Sequence, residues 1–357
     1  MSFHSVTYFN YRNIENGTIN FPTKEIFLVG KNGQGKTNIL ESIYILAYGA
    51  SFKRKSEQVF KTYGSHQCSI IGKFNIENDD NNEIQFTEEK NRQIFLNRHL
   101  LKDRKDLINL NPVVLFSHED FNIITGEPEL RRKYIDQMIC FDNCEYIDLK
   151  RNYKLLLGHR NALLKEKNIK LLGIYDKQIA HVAFQIYHFR KKLTEEINNV
   201  FSKLYSDVVN QDISIRFYYQ SSLKGKTEEE QIKEIEESRY LDLKMNTTTK
   251  GPHRDNFIFV SDNKDFSKTA STGQKRILSL ILKLLQAKYV EKTGKKPIIL
   301  LDDVILEVDG EKRSRFLKKL DFYEQIFYAF LPGENYKEYI GKETTVLFID
   351  KGKIYEK

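Results

Sequence analysis

No apolar run in this 357-residue chain approaches the roughly 18 residues that a membrane-spanning helix needs. The first residues, Met1-Ser2-Phe3-His4-Ser5, lack the apolar core of a secretory signal. Cysteine is scarce, at three in the whole chain. An odd count without a secretion signal argues against a disulfide scaffold and predicts reduced thiols in a cytoplasmic protein. Cys140 and Cys144 fall on one expected helix face, but without a second pair or suitably spaced histidines they read as packing residues, not zinc ligands. No heptad pattern is sustained, so a long coiled coil is excluded. No helix-turn-helix or finger pattern is visible either, which excludes base-specific readout of DNA by those modules.

What is present begins with Gly30-Lys31-Asn32-Gly33-Gln34-Gly35-Lys36-Thr37, which satisfies the phosphate-loop pattern G-x-x-x-x-G-K-S/T. Glu25–Val29 reads as a short buried strand aimed at the first glycine. Ile39, Leu40, Ile43 and Leu46 recur at helical spacing directly after Thr37. The glycines let backbone amides approach an anion closely, and the start of the helix adds its positive dipole end. Lys36 is expected on the β- and γ-phosphates of a nucleoside triphosphate and the Thr37 hydroxyl on Mg²⁺. A chance match to this pattern is expected in about one chain of this size in a hundred, and the strand–loop–helix context lowers that further.

Far along the chain, Ile298-Ile299-Leu300-Leu301 ends in Asp302-Asp303. Four consecutive aliphatics suit a parallel strand covered on both faces, and Asp302 falls at the strand end where such sheets bind ligands. Alone, two aspartates after a strand read as a solvated turn. Beside a phosphate loop, Asp302 reads as a Mg²⁺ ligand and Asp303 as the group that orients or deprotonates water. A third element, Ser271-Thr272-Gly273-Gln274, opens a long apolar helix. A helix cap accounts for the serine and threonine, but accounts less well for the whole string.

Taken in chain order, these three motifs resemble the Walker A, signature and Walker B elements of ABC/SMC-type ATPase heads, and more specifically those of the RecF family. Tyr11-Arg12-Asn13 is similar to that family's N-terminal Phe-Arg-Asn. Phe116–Asp120 with Gly126, Pro128 and Arg131–Asp136, and Gly251–Asp255 before the signature, resemble family-specific blocks. The resemblance implies an α/β fold with a mixed β-sheet core, an antiparallel β lobe and an inserted helical lid or arm. It also implies an ATP site that includes Arg12, and a signature (Ser271, Thr272, Gly273, Gln274) acting in trans. Asp309 would be the D-loop aspartate, with Glu119 and Asp120 as Q-loop candidates. One loop and one signature per chain imply an ATP-dependent homodimer. Further implied are binding to gapped or junction DNA without sequence specificity, partners RecR and RecO, support of RecA loading, and a weak DNA-stimulated ATPase. The chain departs from the family at His118, Leu306, Asn256 and Ile326–Phe330. The last lacks a threonine-rich strand end and a switch histidine, so an ATP-gated clamp with little hydrolysis stays open beside the ATPase. A transporter ATPase and a small-molecule kinase are the remaining rivals.

Composition fits an acidic partner: 57 Lys and Arg against 49 Asp and Glu give +8, and basic side chains release counterions from nucleic acid. Clusters recur at Lys53-Arg54-Lys55, Lys102 with Arg104 and Lys105, Arg131–Lys133, Lys150-Arg151 and Arg190–Lys192. Each alone reads as a solvated face, while several aligned along a groove between two heads would hold DNA. The expected organisation is a first part of the ATPase core at 1–125, a helical insertion at 126–205, and the second part of the core at 206–357. Within it, Asn78–Asn82 reads as a turn, Ile213–Tyr219 as the strand returning to the core, Glu228–Tyr240 as a charged surface helix, and 320–357 as a β-type tail.

Overall fold

The computed structural model describes residues 2–53, 59–76, 79–110 and 112–356. Arg54, Lys55 and Asn78 lie outside them, as do the side chains of Leu306 and Glu307. The chain divides into two compact units, one of Met1–His118 with Gln286–Lys357, the other of Glu119–Leu285.

The first unit contains two six-stranded sheets. One is antiparallel, in the order β2-β1-β4-β5-β6-β7: β1 (Phe3–Phe9), β2 (Gly17–Asn20), β4 (Cys68–Ile76), β5 (Asp79–Glu88), β6 (Arg92–Leu96) and β7 (His99–Leu100). A register shift between Phe3 and Ser5 moves the phase of β1, so Phe3, Val6 and Tyr8 are all buried. β5 already begins at Asp79, so most of the segment expected as a turn is strand. The other sheet has the order β15-β14-β3-β13-β12-β8. It comprises β3 (Glu25–Val29), β8 (Val113–Phe116), β12 (Ile298–Asp302), β13 (Gln325–Phe330), β14 (Thr344–Asp350) and β15 (Lys353–Glu356).

All neighbours in this second sheet run parallel except the β14–β15 hairpin. Every residue of β8 and β12 is buried, which is why both read as unbroken apolar runs. The segment expected as a tail supplies β13 and β14, the two neighbours of β3. α1 (Lys36–Tyr48) is buried at Ile39, Leu40, Ile43, Ile45, Leu46 and Ala47. Apolar around most of its circumference, it sits in one core with residues of both sheets. α2 (Lys105–Leu110) and α10 (Gly310–Leu317) complete this unit.

The second unit holds α3 (Phe121–Thr125), α4 (Pro128–Asp142), α5 (Glu145–Lys165), α6 (Leu172–Val209), α7 (Glu228–Met245), α8 (Phe266–Thr269) and the start of α9 (Thr272–Lys292). It also has its own three-stranded antiparallel sheet of β9 (Arg216–Gln220), β10 (Asn256–Ser261) and β11 (Lys264–Asp265). The strand expected to return the chain to the core is therefore β9, paired with β10 inside this unit. α6 buries Ile179, Val182, Ile186, Arg190, Leu193, Ile197, Phe201 and Leu204, a single stripe at helical spacing.

Two buried guanidinium groups organise the unit. Arg160 donates to Asp176 (2.7 Å) and to Asp242 (2.7 Å). Arg190 donates to both oxygens of Asp136 (3.0 Å each) and to Asp255 (2.7 Å). α7 is accordingly more than a surface helix. It is capped by a reciprocal Thr227–Glu230 box and buries Ile235 and Asp242. Cys140 lies in α4, whereas Cys144 is the residue before α5, so the two cysteines do not share a helix. Both are free thiols.

Candidate nucleotide-binding site

The loop between β3 and α1 is held from three sides within the first unit. Gly33 and Gly35 have φ of 77° and 124°, conformations that side-chain-bearing residues rarely adopt. Asn13 donates to the Gly33 carbonyl (3.2 Å) and accepts from Asn38 (2.7 Å). The β14–β15 hairpin closes on the loop: Gly352 donates to the Gln34 carbonyl (3.1 Å), and the Lys351 amide donates to the Gln34 side chain. A Cβ on Gly30 would stand 2.7 Å from the Ile349 carbonyl oxygen, so close packing as well as the turn demands glycine there.

Lys36 is 4 % exposed, and its ammonium donates to the Gly30 carbonyl at 2.7 Å. Its carboxylate neighbour is Asp303, at 4.0 Å. The Thr37 hydroxyl donates to Asp302 at 2.9 Å, joining residues 265 positions apart. β12 is separated from β3 by β13 alone, so the loop and both aspartates meet at the C-terminal edge of a parallel sheet, where such sheets bind ligands.

Burial pushes the Asp302 carboxyl up; the Thr37 bond opposes this and the Asp303 charge adds to it. Asp303 is also raised by burial, against the pull of Lys36 and then His118. Its backbone is left-handed, φ 53°, and its buried Oδ1 has no hydrogen-bond partner. A hydroxyl and two carboxylates short of positive charge form a hard-oxygen set that fits Mg²⁺, which takes one or two protein carboxylates and fills its remaining positions with water and phosphate. Among the described residues there is no cluster of three His, Cys, Asp or Glu able to cage a metal.

The remaining expected residues lie as follows. Arg12, itself at φ 53°, donates to buried Glu41 at 2.7 Å and lies over the Phe60 ring. Glu41 also takes Lys53, Ser51 and Tyr11. The neighbour that touches the loop is Asn13, which the Tyr11-Arg12-Asn13 motif contains but does not single out. Glu334, in the turn after β13, was also missed. Its carboxylate accepts from the Leu331 amide (2.7 Å), and burial raises it, with the Asp303 charge adding and Lys36 opposing. The signal was available: a carboxylate just past the C-terminal end of an apolar strand, as at Asp302.

Ser271 and Gln274 form a reciprocal cap on α9: the Ser271 amide donates to Gln274 Oε1 (2.8 Å), and the Gln274 amide donates to Ser271 Oγ (3.3 Å). The cap therefore explains the glutamine too, contrary to expectation. Thr272 and Gly273 are exposed, with open space where a Gly273 Cβ would stand. Asp309 is the N-cap of α10, accepting from the Glu311 amide at 3.0 Å. The hydrogen bond from Lys312 lowers its pKa. Glu119 accepts from Asn122 (2.8 Å), and Asp120 faces Lys283 at 3.9 Å, both within the second unit. Among the described residues no helix is long and apolar enough to cross a membrane.

Comparison with known proteins places the chain in a family. The family model of the RecF/RecN/SMC N-terminal domain matches residues 2–331. A DNA replication and repair protein RecF from Treponema pallidum (strain Nichols) is 37% identical over 98% of this chain and 100% of its own length. Its namesake from Leptospira interrogans serogroup Icterohaemorrhagiae serovar copenhageni (strain Fiocruz L1-130) is 31% identical over 97% and 96%. A solved structure of the recombination mediator protein RecF with ATP in the RecFOR pathway superposes with a TM-score of 0.89 at 28% identity, covering 99% of this chain and 97% of that one. An SMC head bound to the C-terminal winged-helix domain of ScpA superposes at 0.58 with 14% identity, covering 99% and 97%, which is a likeness of fold. The architecture is thus the α/β ATPase head of the ABC/SMC class, and the chain belongs to the RecF family of the RecF/RecN/SMC group.

Proposed function

We propose that this chain is a RecF-type protein of recombinational DNA repair and replication restart, in which ATP with Mg²⁺, held at Gly30–Thr37, joins two copies on gapped or junction DNA. The observation that carries this reading is the Thr37–Asp302 contact beside Lys36 and Asp303. Lys36, buried among carbonyl oxygens, presents a cation to the phosphates, and the loop amides orient them. Thr37 and Asp302 would hold the cation, which would supply positive charge to the phosphate oxygens. Asp303, with its raised carboxyl, is the group placed to orient and accept a proton from water.

The Ser271 hydroxyl spends one lone pair on its cap, and its proton is available to a phosphate bound by a second copy. Gly273 leaves room for close approach. RecR, RecO and RecA loading are carried over from the family and from relatives named for DNA replication and repair. Sedimentation with and without ATP tests the reading: wild type should dimerise only with ATP, and Lys36→Arg and Ser271→Arg should stay monomeric. Normal ATP-dependent dimerisation of Ser271→Arg would exclude the signature's action in trans.

A second reading, an ATP-gated clamp with little hydrolysis, is favoured by the end of β13. There the turn offers Glu334, already engaged by the Leu331 amide, and no histidine. DNA-stimulated phosphate release separates the two readings, with Asp303→Asn as the control.

A further inference from the structure

Within the second unit, β10 pairs with β9 from Asn256 to Val260 but with β11 only through Val260 and Ser261. Asn256–Phe259 therefore has a strand neighbour on one side only. A cavity of about 420 Å³ is lined by all four of these residues. Successive side chains of a strand point to opposite faces, so a cavity touched by four in a row runs along the strand's edge. Its volume lies within the roughly 300–1,000 Å³ of ligand-binding clefts.

Its walls are charged: Arg131, Lys268 and Lys275 face it against the lone carboxylate of Asp265. Asp265 is engaged by Ser267 through its Oδ1 and faces the exposed Lys268 ammonium through its Oδ2 at 3.9 Å, which leaves two cations in excess. Arg131 is fixed by the Gly126 carbonyl (2.9 Å) and by Asn256 (3.3 Å), and its buried Nε–H has no acceptor. On this edge the Phe257 N–H is held only by the neighbouring Asn256 side chain (2.9 Å), a local bond that an incoming strand would displace. An edge without a second strand, a cleft along it and an excess of cations together describe a strand-addition site selective for acidic sequence.

We infer that an extended acidic peptide segment of a partner protein adds to this sheet along Asn256–Phe259, its carboxylates meeting Arg131, Lys268 and Lys275. A polypeptide is favoured over nucleic acid because a strand edge offers alternating N–H and C=O groups, which match a backbone and not a phosphodiester.

The test uses the full chain on an array of random eight-residue peptides. Bound sequences should alternate Asp or Glu with β-branched or aromatic residues. Proline at alternate positions should abolish binding, and the Lys268→Glu/Lys275→Glu double variant should weaken it at least tenfold. Amide exchange at Phe257–Phe259 should slow with a selected peptide, a readout independent of the variants' folding. The inference is overturned if no sequence class is enriched, if the double variant binds the same peptides equally well, or if a single-stranded oligonucleotide protects those amides and the peptides do not.

Discussion

Replacing Arg190 by methionine keeps the length of the side chain and removes its charge, so it isolates what the guanidinium does in the second unit. Arg190 is fully buried and makes hydrogen bonds to Asp136 Oδ1 and Oδ2 (3.0 Å each), Asp255 Oδ2 (2.7 Å) and the Pro252 carbonyl (2.8 Å). Charged hydrogen bonds contribute about 1.5–3 kcal/mol each, but the losses do not simply add. Asp136 keeps Lys150 (2.7 Å) and Tyr146 (2.5 Å). Asp255 keeps Tyr219 (2.5 Å) and the Ser222 amide (2.8 Å). The expected cost is that of breaking one buried pair, about 3–5 kcal/mol. At roughly 1.4 kcal/mol per factor of ten, α6 amides should exchange about two to three and a half orders of magnitude faster at pH 7.

The pH dependence follows from Asp136. Burial pushes its carboxyl up, but Arg190 and then Lys150 outweigh burial and hold it below the ordinary carboxylate value. A carboxyl depressed on folding stabilises the native state above its unfolded pKa, about 3.9, and loses that contribution as pH falls through its lower folded value. The wild-type advantage over Arg190→Met should therefore be widest above about pH 5 and shrink below about pH 4, as measured by urea unfolding followed by helix circular dichroism. A deficit under about 1 kcal/mol, or one that grows on acidification, would refute the argument.

Three other outcomes are expected. Gly352→Ala combines φ of 83° with a Cβ overlapping the Asn13 carbonyl oxygen. It should destabilise by more than about 1 kcal/mol and weaken binding of a fluorescent ATP analogue at least tenfold, since the Gly352 amide braces Gln34; unchanged nucleotide affinity would separate the hairpin from the loop. Asp303→Asn should bind ATP within a few-fold of wild type but release phosphate about a hundredfold more slowly or worse, and equal turnover would dismiss Asp303 as the group acting on water. Ser271→Ala should cost about 1 kcal/mol, visible as faster exchange in the first turn of α9, and an unaltered first turn would mean the Ser271–Gln274 cap is not formed in solution.

The phosphate loop and both aspartates were readable in advance because their signals are local. Glycine spacing reports a backbone that must take positive φ, and an unbroken aliphatic run reports a strand with no solvent face, as β12 proves to be. What braces the loop was not readable. Asn13, Gln34 and Gly352 meet only because β14 lies beside β3 and its hairpin turns back on the loop. No local pattern encodes that closure, and the same segment taken by itself reads as a tail. β13 was obscured differently. Ile326–Phe330 lacks the polar strand end that the family resemblance implies, while its apolar character marks it as the strand that spaces β3 from β12.

Basic clusters were the least legible feature, because a sequence shows charge without its partners. Arg190 is buried between two aspartates, Lys150 sits on Asp136, Arg132 donates to the Asp255 carbonyl and Arg131 to the Gly126 carbonyl. Four positions counted toward a nucleic-acid surface are thus engaged in holding the second unit together. The blocks around Arg131–Asp136 and Gly251–Asp255 identify the family in sequence, and in space they meet at a single guanidinium. Their specificity is therefore architectural: a substitution in either block should act first through the stability of the second unit. Any effect on DNA binding from these positions has to be measured against that loss, whereas Lys133, Lys191 and Lys192, exposed on the same helices, carry charge that can be reversed without touching the buried network.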